Sequence, residues 1–226
     1  MTKAYTIGMF CAAGTLALAG SAQGVVTATF TADNHYGLYG DYGGALTFIG
    51  ANETGAYGSP GRYNWSLPET FTFDTPDTVY IAAWSDGRVA QGLIGQLNID
   101  GVNVYTGDAG WEVFATGIEL GAGASAPDVA DMAAQIAIAD STSAWEIPFV
   151  GFDNVNTTRP WGKIAGISEE ANWVWRDSGD LRNNPLIGGS NSGEYLIFRT
   201  TAIPTPGAVS VLALGGLASI RRRRTA

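Results

Sequence analysis

The chain is poor in the side chains that most catalytic and metal sites use. It has one cysteine, Cys11, and one histidine, His35, among 226 residues. A single cysteine cannot form an internal disulfide, and a single histidine supports neither a His-rich metal site nor more than one Ser-His-Asp arrangement. No Gly-rich phosphate loop stands between a strand and a helix. We therefore predict no catalytic residues, no metal and no cofactor.

Basic residues are also scarce, and they are unevenly placed. The chain has 12 Lys and Arg against 21 Asp and Glu. Lys3 and the arginines at 221–224 lie near the two ends, whereas all of the acidic residues lie between them. An acidic surface of this kind repels nucleic acid and anionic lipid. We predict no nucleic-acid partner.

The N-terminal segment has the layout of a secretory signal peptide. Lys3 precedes a mostly apolar stretch over residues 4–19, and "ALAGSA" then supplies small residues at the spacing of a cleavage site. A buried first helix is the alternative, but its glycines weaken a helix. We expect a signal helix over residues 1–22, cleavage between Ala22 and Gln23, and export of the rest of the chain.

The C-terminal segment, "IPTPGAVSVLALGGLASIRRRRTA" (residues 203–226), joins a proline pair, a short apolar run and four arginines. At about 1.5 Å per residue the 14-residue run spans roughly 21 Å, short of a hydrocarbon core of about 30 Å. It is therefore marginal as a permanent anchor. Arginines beside a membrane segment resist export and hold the tail at the cytoplasmic face.

This layout resembles the PEP-CTERM sorting signal of Gram-negative bacteria that make exopolysaccharide. A Pro-Thr-Pro sequence stands where that signal usually has Pro-Glu-Pro. The resemblance implies an exosortase-like sorting enzyme as partner, membrane contact through a C-terminal apolar helix, and a place in the cell envelope or outside the cell. The residues that carry it are Pro204, Thr205, Pro206, Arg221, Arg222, Arg223 and Arg224.

Residues 23–202 are predicted to form one mostly β domain. In "DTVYIAAWSD" the residues Val79, Ile81 and Ala83 alternate with larger neighbours, which is the period of a strand. "LIGQLNIDGVNVYTG" predicts a hairpin with a two-residue turn at Asp100-Gly101. This spacing suggests an antiparallel β-sandwich. Further strands are predicted over 24–32, 35–39, 45–49, 69–74, 111–116 and 194–200.

One inserted segment has helical rather than strand periodicity. In "SAPDVADMAAQIAIADS" a helix over residues 127–139 is predicted, capped by Ser125. Its apolar residues recur at helical spacing and are expected to pack on the sandwich, closing one end of it. The alternative is a lid or partner surface. The predicted apolar stripe consists of Val129, Met132, Ala133 and Ile136.

The middle of the chain resembles the galactose-binding-like jelly-roll modules of α-L-rhamnosidases and related glycosidases. The likeness lies in "TADNHYGLYGDYGGALTFIGA", "TVYIAAWSDGRVAQGLIGQLNIDG" and "ANWVWRDSGDL…GEYLIFRT". It implies a jelly-roll β-sandwich in a carbohydrate-associated setting. Trp173 and Trp175 stand at the family's tryptophan positions, but two residues apart on a strand they more often pack in the core than stack on a sugar. We expect no catalytic domain after these segments, so the resemblance implies a fold and a setting rather than hydrolysis.

The segment "GSPGRYNWSLPE" offers the best sequence candidates for a ligand site. It places Arg62, Tyr63, Asn64 and Trp65 in a turn-rich stretch, where an aromatic ring can stack on a pyranose while polar groups bind its hydroxyls. Trp161, which follows Pro160, is a second candidate. The alternative is that Trp65 closes the end of the sandwich as a packing residue.

Other polar residues give weaker signals. Asp33 and Asn34 suit a turn cap better than a sugar site, because short polar side chains satisfy nearby backbone donors. Asp177 and Asp180 in "DSGDLRNN" are hard oxygen ligands and form a weak candidate calcium site. The segment lacks EF-hand spacing, and an ordinary solvated loop is the alternative.

Two classes of function remain open from sequence. We favour an exported, non-catalytic module that binds or organises extracellular polysaccharide. The alternative is an extracellular enzyme related to glycoside hydrolases, which would need two carboxylates about 5–10 Å apart in a cleft. A shallow face with exposed aromatic rings would favour binding instead.

The predicted retention role of the C-terminal tail can be tested by deletion. Removal of residues 203–226, or replacement of the four arginines by serine, should release the protein into the medium, because the membrane and sorting contacts are lost. Fractionation of cells carrying each variant measures this. Unchanged association of the deleted chain with the envelope would show that the tail is not the retention signal.

Overall fold

The computed structural model describes residues 24–52, 64–87, 89–121, 123–179, 184–187, 194–200 and 203. The predicted signal and sorting segments lie outside these ranges, as do Arg62, Tyr63 and Asp180. Within them the chain forms eleven strands and one helix: β1 (Val25–Asp33), β2 (His35–Tyr42), β3 (Ala45–Ala51), β4 (Glu69–Asp74), β5 (Thr78–Trp84), β6 (Gly92–Ile99), β7 (Val102–Tyr105), β8 (Trp111–Glu119), α1 (Val129–Thr142), β9 (Phe149–Asp153), β10 (Asn172–Trp175) and β11 (Glu194–Thr200).

The strands form two antiparallel sheets. The six-stranded sheet has the order β4-β1-β6-β10-β9, and β7 also pairs with β6. The five-stranded sheet has the order β3-β2-β5-β11-β8. The predicted antiparallel β fold with one helix is confirmed, and the two sheets fit a β-sandwich. Strand β9 had no counterpart among the predicted strands.

Alternation along β5 divides the apolar residues of the five-stranded sheet between two clusters. Val79, Ile81 and Ala83 join the main core, which also holds inward residues of β1, β6 and β11. Their neighbours Tyr80 and Trp84 belong to a second cluster with the helix. The period of two predicted for this strand is therefore confirmed, and both of its faces are buried.

The predicted hairpin is present between β6 and β7. Ile99 pairs with Val102, so two residues form the turn. Asp100 and Gly101 have φ angles of 50° and 87°, the left-handed values that a type I′ turn requires. Glycine meets this demand without strain.

Helix α1 begins and ends later than its sequence pattern indicated. The chain is still extended at Asp128, where ψ is 169°, and the Asp128 side chain accepts the Asp131 N–H at 2.8 Å. Asp128 is therefore the N-cap, and the prediction of Ser125 was wrong. The helix ends at Ser143, whose left-handed conformation directs its N–H back to the last turn.

The helix packs on the outer face of the five-stranded sheet rather than at one end of the sandwich. Met132 and Ala139 are fully buried there, in one cluster with Tyr39, Tyr80 and Trp84. Ile136 packs against the same cluster. The other two members of the predicted apolar stripe, Val129 and Ala133, are exposed.

Arg199 on β11 joins the C-terminal end of this helix to the sheet. Its Nη1 donates to Asp140 of α1 at 2.9 Å, and its Nε donates to Glu112 of β8 at 2.7 Å. The guanidinium also lies 3.9 Å from the centre of the Trp145 ring. The Trp145 Nε1 donates to the same Asp140 carboxylate at 2.7 Å. This arrangement of ion pairs and a cation–π contact fixes one end of the helix.

Two tyrosines lie beneath the other end of the helix. The Tyr39 hydroxyl donates to the Pro127 carbonyl, whereas the Tyr195 hydroxyl is buried without a hydrogen-bond partner among the described residues. Burial and then the charges of Asp131 and Asp128 raise the pKa of Tyr195 to about 12. Burial is also the main reason that the pKa of Tyr39 is raised.

Within the described ranges, no helix is long and apolar enough to span a bilayer.

Tyr195→Phe should leave the free energy of unfolding nearly unchanged at pH 7, because the lost hydroxyl has no partner. Above pH 10 the wild type should lose stability, since an unfolded tyrosine ionises near 10 whereas Tyr195 in the folded chain does so near 12. The variant should lose less. Guanidinium unfolding of the full chain at pH 7 and pH 11 measures both effects.

Tyr39→Phe is the matched control. It removes a hydrogen bond and leaves a buried carbonyl unpaired, so it should lower stability at pH 7 by about 1–2 kcal/mol. An equal loss at pH 7 for both variants would contradict the assignment of the unpartnered hydroxyl to Tyr195.

Candidate functional site

The outer face of the six-stranded sheet is polar, because alternation in β1 and β4 places threonine there. In β1 the residues Val26, Ala28 and Phe30 face the core, so Thr27 and Thr29 face outward. In β4 the phenylalanines pack against the core, and Thr70 and Thr72 are exposed on the outer side. The two Thr-x-Thr patterns lie on adjacent strands, and polar residues of β6 and β7 continue the same face.

The strand register aligns these side chains in two rows across four strands. Paired residues on neighbouring antiparallel strands share one face, and each row follows the order β4-β1-β6-β7. The first row is Thr72, Thr27, Asn98 and Asn103. The second row is Thr70, Thr29, Gln96 and Tyr105. We call these eight residues the hydroxyl–amide face.

Hydrogen bonds within the hydroxyl–amide face orient its side chains. The hydroxyls of Thr29 and Thr70 are 2.9 Å apart, and the Asn98 amide donates to Asn103 Oδ1 at 2.7 Å. The Asn103 amide in turn donates to the Tyr105 hydroxyl at 3.0 Å. Thr70, Thr72 and Asn103 are nevertheless exposed to solvent. The face therefore presents hydroxyl and amide groups whose positions are partly fixed in advance.

A loop covers the sheet beyond one end of this face. Residues 154–171, the cover segment, reach across the outer side from Asp33 to Gln96: Trp161 Nε1 donates to Asp33 at 2.8 Å, and the Ser168 N–H donates to Gln96 at 2.8 Å. Ile94 consequently has 0% exposure although it points outward. Beyond the cover segment, the side chains of the hydroxyl–amide face are exposed or half-buried, except Thr29, which is 8% exposed.

A buried asparagine fixes the cover segment. The Asn154 amide donates to the carbonyls of Ile164 and Ile167 at 3.0 and 2.8 Å, and its oxygen accepts the Ile164 N–H at 2.7 Å. All three contacts join the Asn154 side chain to backbone groups of the segment. The segment is thus an ordered layer of the structure.

Two sequence-predicted ligand residues, Asn64 and Trp65, lie at the covered end of the sheet. The Asn64 oxygen accepts both the N–H and the hydroxyl of Ser66, which forms a local turn. Trp65 is half-buried and packs against the main core, and its carbonyl accepts the Thr31 hydroxyl at 2.9 Å. Thr31 follows the outward residues of β1, so Trp65 borders the same side of the sheet as the hydroxyl–amide face.

Trp161 is placed in the packing layer. Its side chain is 5% exposed and stacks on Trp173 with 4.0 Å between ring centres and 17° between ring planes. Trp173 and Trp175 are fully buried, as the strand spacing indicated. Little of the Trp161 ring is therefore available for a ligand in this arrangement.

The polar residues around the Asp33-Asn34 turn hold loops together. Asn34 Oδ1 accepts the Ser85 hydroxyl at 3.2 Å and the Asp86 N–H at 2.5 Å. His35 is buried, and its Nε2 accepts the Gly123 N–H at 3.2 Å. The Asn34 side chain thus accepts from a distant loop rather than from nearby backbone donors of its own turn.

The candidate calcium segment is described only in part. Asp177 Oδ1 accepts the Gly179 N–H at 2.8 Å in a local turn, while Asp180 lies outside the described residues. Among the residues that the structure describes, no group of three or more His, Cys, Asp or Glu is arranged to hold a metal ion.

Four carboxylates on the side of the five-stranded sheet, those of Glu112, Asp140, Glu146 and Glu194, are paired with arginine. Arg176 contacts Glu146 at 3.2 Å and Glu194 at 3.4 Å, in the same manner that Arg199 joins two carboxylates. Their oxygens are thus directed to guanidinium groups. Ion pairing with Arg176 and Arg199 therefore explains where these carboxylate groups lie.

Sequence reasoning missed the hydroxyl–amide face. The available signal was the alternation in "TATFT" and "TFTFD", where threonine takes every second position. It did not reveal that the two segments are neighbours, nor that Asn98, Asn103 and Tyr105 continue the rows. That information lies in the strand register.

The ring packing leads to a prediction for Trp161. Trp161→Ala should lower the free energy of unfolding by about 3–5 kcal/mol, since it removes a buried ring stacked on another. Trp161→Phe retains an aromatic ring and should cost less, so it serves as the control. Chemical denaturation of the full chain measures both. A Trp161→Ala variant as stable as the wild type would show that the ring is free to serve a ligand.

Comparison of the chain with protein-family models, with curated proteins and with solved structures gives no match. What the protein does is therefore inferred from its own residues. The hydroxyl–amide face combines an ordered array of polar groups with access to solvent, and it is therefore our candidate site.

Proposed function

We propose that this protein is an exported, non-catalytic module that associates with extracellular polysaccharide. The observation that carries the proposal is the hydroxyl–amide face: eight side chains in two rows, with no carboxylate, ammonium or guanidinium among them. Such a surface suits a partner that is rich in hydroxyl groups.

The chemistry of the face matches that of sugars. Threonine hydroxyls and side-chain amides both donate and accept hydrogen bonds, as sugar hydroxyls do. Threonine methyl groups and the Tyr105 ring add apolar contacts for the C–H groups of a pyranose. Because several side chains are already oriented by one another, binding would cost less conformational entropy than on a mobile surface.

We further propose that the two sheets form a galactose-binding-like jelly roll. The antiparallel pairing and the repeated movement of the chain between sheets support this: β1, β4 and β6 belong to one sheet, and β2, β5 and β8 to the other. The resemblance of the central segments points in the same direction. A fold of this kind agrees with a carbohydrate-associated role but does not by itself specify a ligand.

Export and sorting complete the proposal. The signal-like N-terminus and the Pro-Thr-Pro, apolar and arginine-rich tail support delivery to the cell envelope or surface. An exosortase-like enzyme would recognise the tail, and the apolar run would give transient or permanent membrane contact. The module between the two ends would then face extracellular polysaccharide.

The proposal predicts retention in affinity electrophoresis. The full chain, purified in mild non-ionic detergent, should migrate more slowly in native gels cast with polysaccharide than in plain gels. A suitable panel of neutral polysaccharides is hydroxyethylcellulose, dextran, galactomannan and laminarin. Serum albumin run in the same gels corrects for the sieving effect of the polymers. Unchanged relative mobility in every gel would refute the carbohydrate-associated role.

A further inference from the structure

We infer that the hydroxyl–amide face selects an uncharged glycan chain, which lies across the strands, and excludes anionic glycans. This inference rests on the proposed function, because it assigns the partner's chemistry and the place where it binds. It follows from three features of the described residues: the carboxylates around the face, the absence of basic residues from its four strands, and the extent of the two rows.

Carboxylates flank the face: Asp74 and Asp100 lie at the end opposite the cover segment, and Asp108 lies beside the second row. Asp74 pairs with Val25 next to the first row and is exposed. Asp100 in the hairpin turn accepts the Val25 N–H at 3.0 Å, and Asp108 accepts the Tyr105 N–H at 2.8 Å. Backbone donors hold these two carboxylates beside the rows. A uronic acid or a sulfated sugar on the face would therefore meet fixed negative charge.

None of the four described basic side chains lies on the four strands that carry the face. Lys163 pairs with Glu169, and Arg176 and Arg199 pair with carboxylates near the other sheet. Arg159 donates to backbone carbonyls of its own loop. Selective recognition of carboxylate or sulfate normally uses arginine or lysine. The described part of the face offers neither, so its complementarity is to a neutral partner.

The dimensions of the face indicate a chain rather than a single sugar. Four neighbouring strands about 4.8 Å apart give each row a length of about 14 Å, and residues two apart along a strand separate the rows by about 7 Å. The long axis thus runs perpendicular to the strands. Several consecutive sugar rings can contact both rows when the glycan lies along this axis.

The test uses two substitutions that keep the strand geometry. Thr27→Val and Thr72→Val replace hydroxyls of the first row by methyl groups, and valine has the size and strand preference of threonine. The loss of two hydrogen bonds should raise the dissociation constant for a retained neutral polysaccharide about tenfold in the double variant. Thr47→Val is the control, because Thr47 is exposed on β3 of the other sheet. It should leave retention unchanged.

Paired polymers test the selection against charge. Hydroxyethylcellulose and carboxymethylcellulose share one backbone, as do dextran and carboxymethyl dextran. The full chain should be slowed by a neutral polymer and not by its carboxymethylated partner at low salt. Asp74→Asn should reduce the discrimination, since one flanking charge is removed, while retention in the neutral gel stays the same.

The outcomes separate this inference from the proposed function. If wild-type chain is retained but the double variant, folded by circular dichroism, is retained equally, the face is not the binding site and the inference is overturned. Equal retention by the neutral and carboxymethylated polymers also overturns it. If no gel retains the wild type, the proposed function fails, and the assignment of a neutral glycan fails with it. Selective loss in the double variant together with preference for the neutral polymer supports the inference.

Discussion

Burial of both faces of the five-stranded sheet is the constraint that organises this molecule. Strand β5 places Ile81 in the core between the sheets and Trp84 beneath the helix, and β2 and β11 divide their apolar residues in the same way. A sheet that is apolar on both sides must be covered twice. The six-stranded sheet covers one side and helix α1 the other, so a three-layer arrangement follows from the strand composition.

The outer layer of the six-stranded sheet has no such requirement. Its strands β1 and β4 alternate apolar and hydroxyl residues, the pattern of a sheet that is buried on one side and solvated on the other. Near Ile94 the alternation fails, and there the cover segment fills the gap with Trp161, Ile164 and Ile167. The open region is thus the part of the sheet where alternation is maintained. This difference between the two sheets explains both where the chain packs a third layer and where the candidate site lies.

Local signals predicted the elements better than their arrangement. The period of two around Ile81 and the Asp100-Gly101 turn were sufficient for β5 and the hairpin, because each depends on a few adjacent residues. The helix cap was misplaced because Ser125 and Asp128 are both capable caps and the choice depends on where the chain leaves its extended conformation. Strand β9 escaped prediction because "FVGFD" is short and interrupted by Gly151.

The candidate site was less predictable for the same reason. Trp65 attracted attention as an aromatic residue in a turn, whereas the eight residues of the hydroxyl–amide face come from four segments separated by up to about eighty residues. Only pairings such as Thr27 with Thr72 and with Asn98 bring them together. The strand register depends on pairing across the complete sheet, so it cannot be inferred from the alternation within single segments.

The position of β11 determines when folding can finish. This strand is the last of the described strands in chain order, yet it lies between β5 and β8 in the five-stranded sheet. Until residues 194–200 are available, both neighbours have open hydrogen-bonding edges, and the pairing of β11 with β5 must then close a loop of more than a hundred residues. A chain that emerges from a ribosome N-terminus first therefore cannot complete the described core until residues 194–200 have emerged. Until then, the exposed edges of the waiting strands are the features that a chaperone would need to protect.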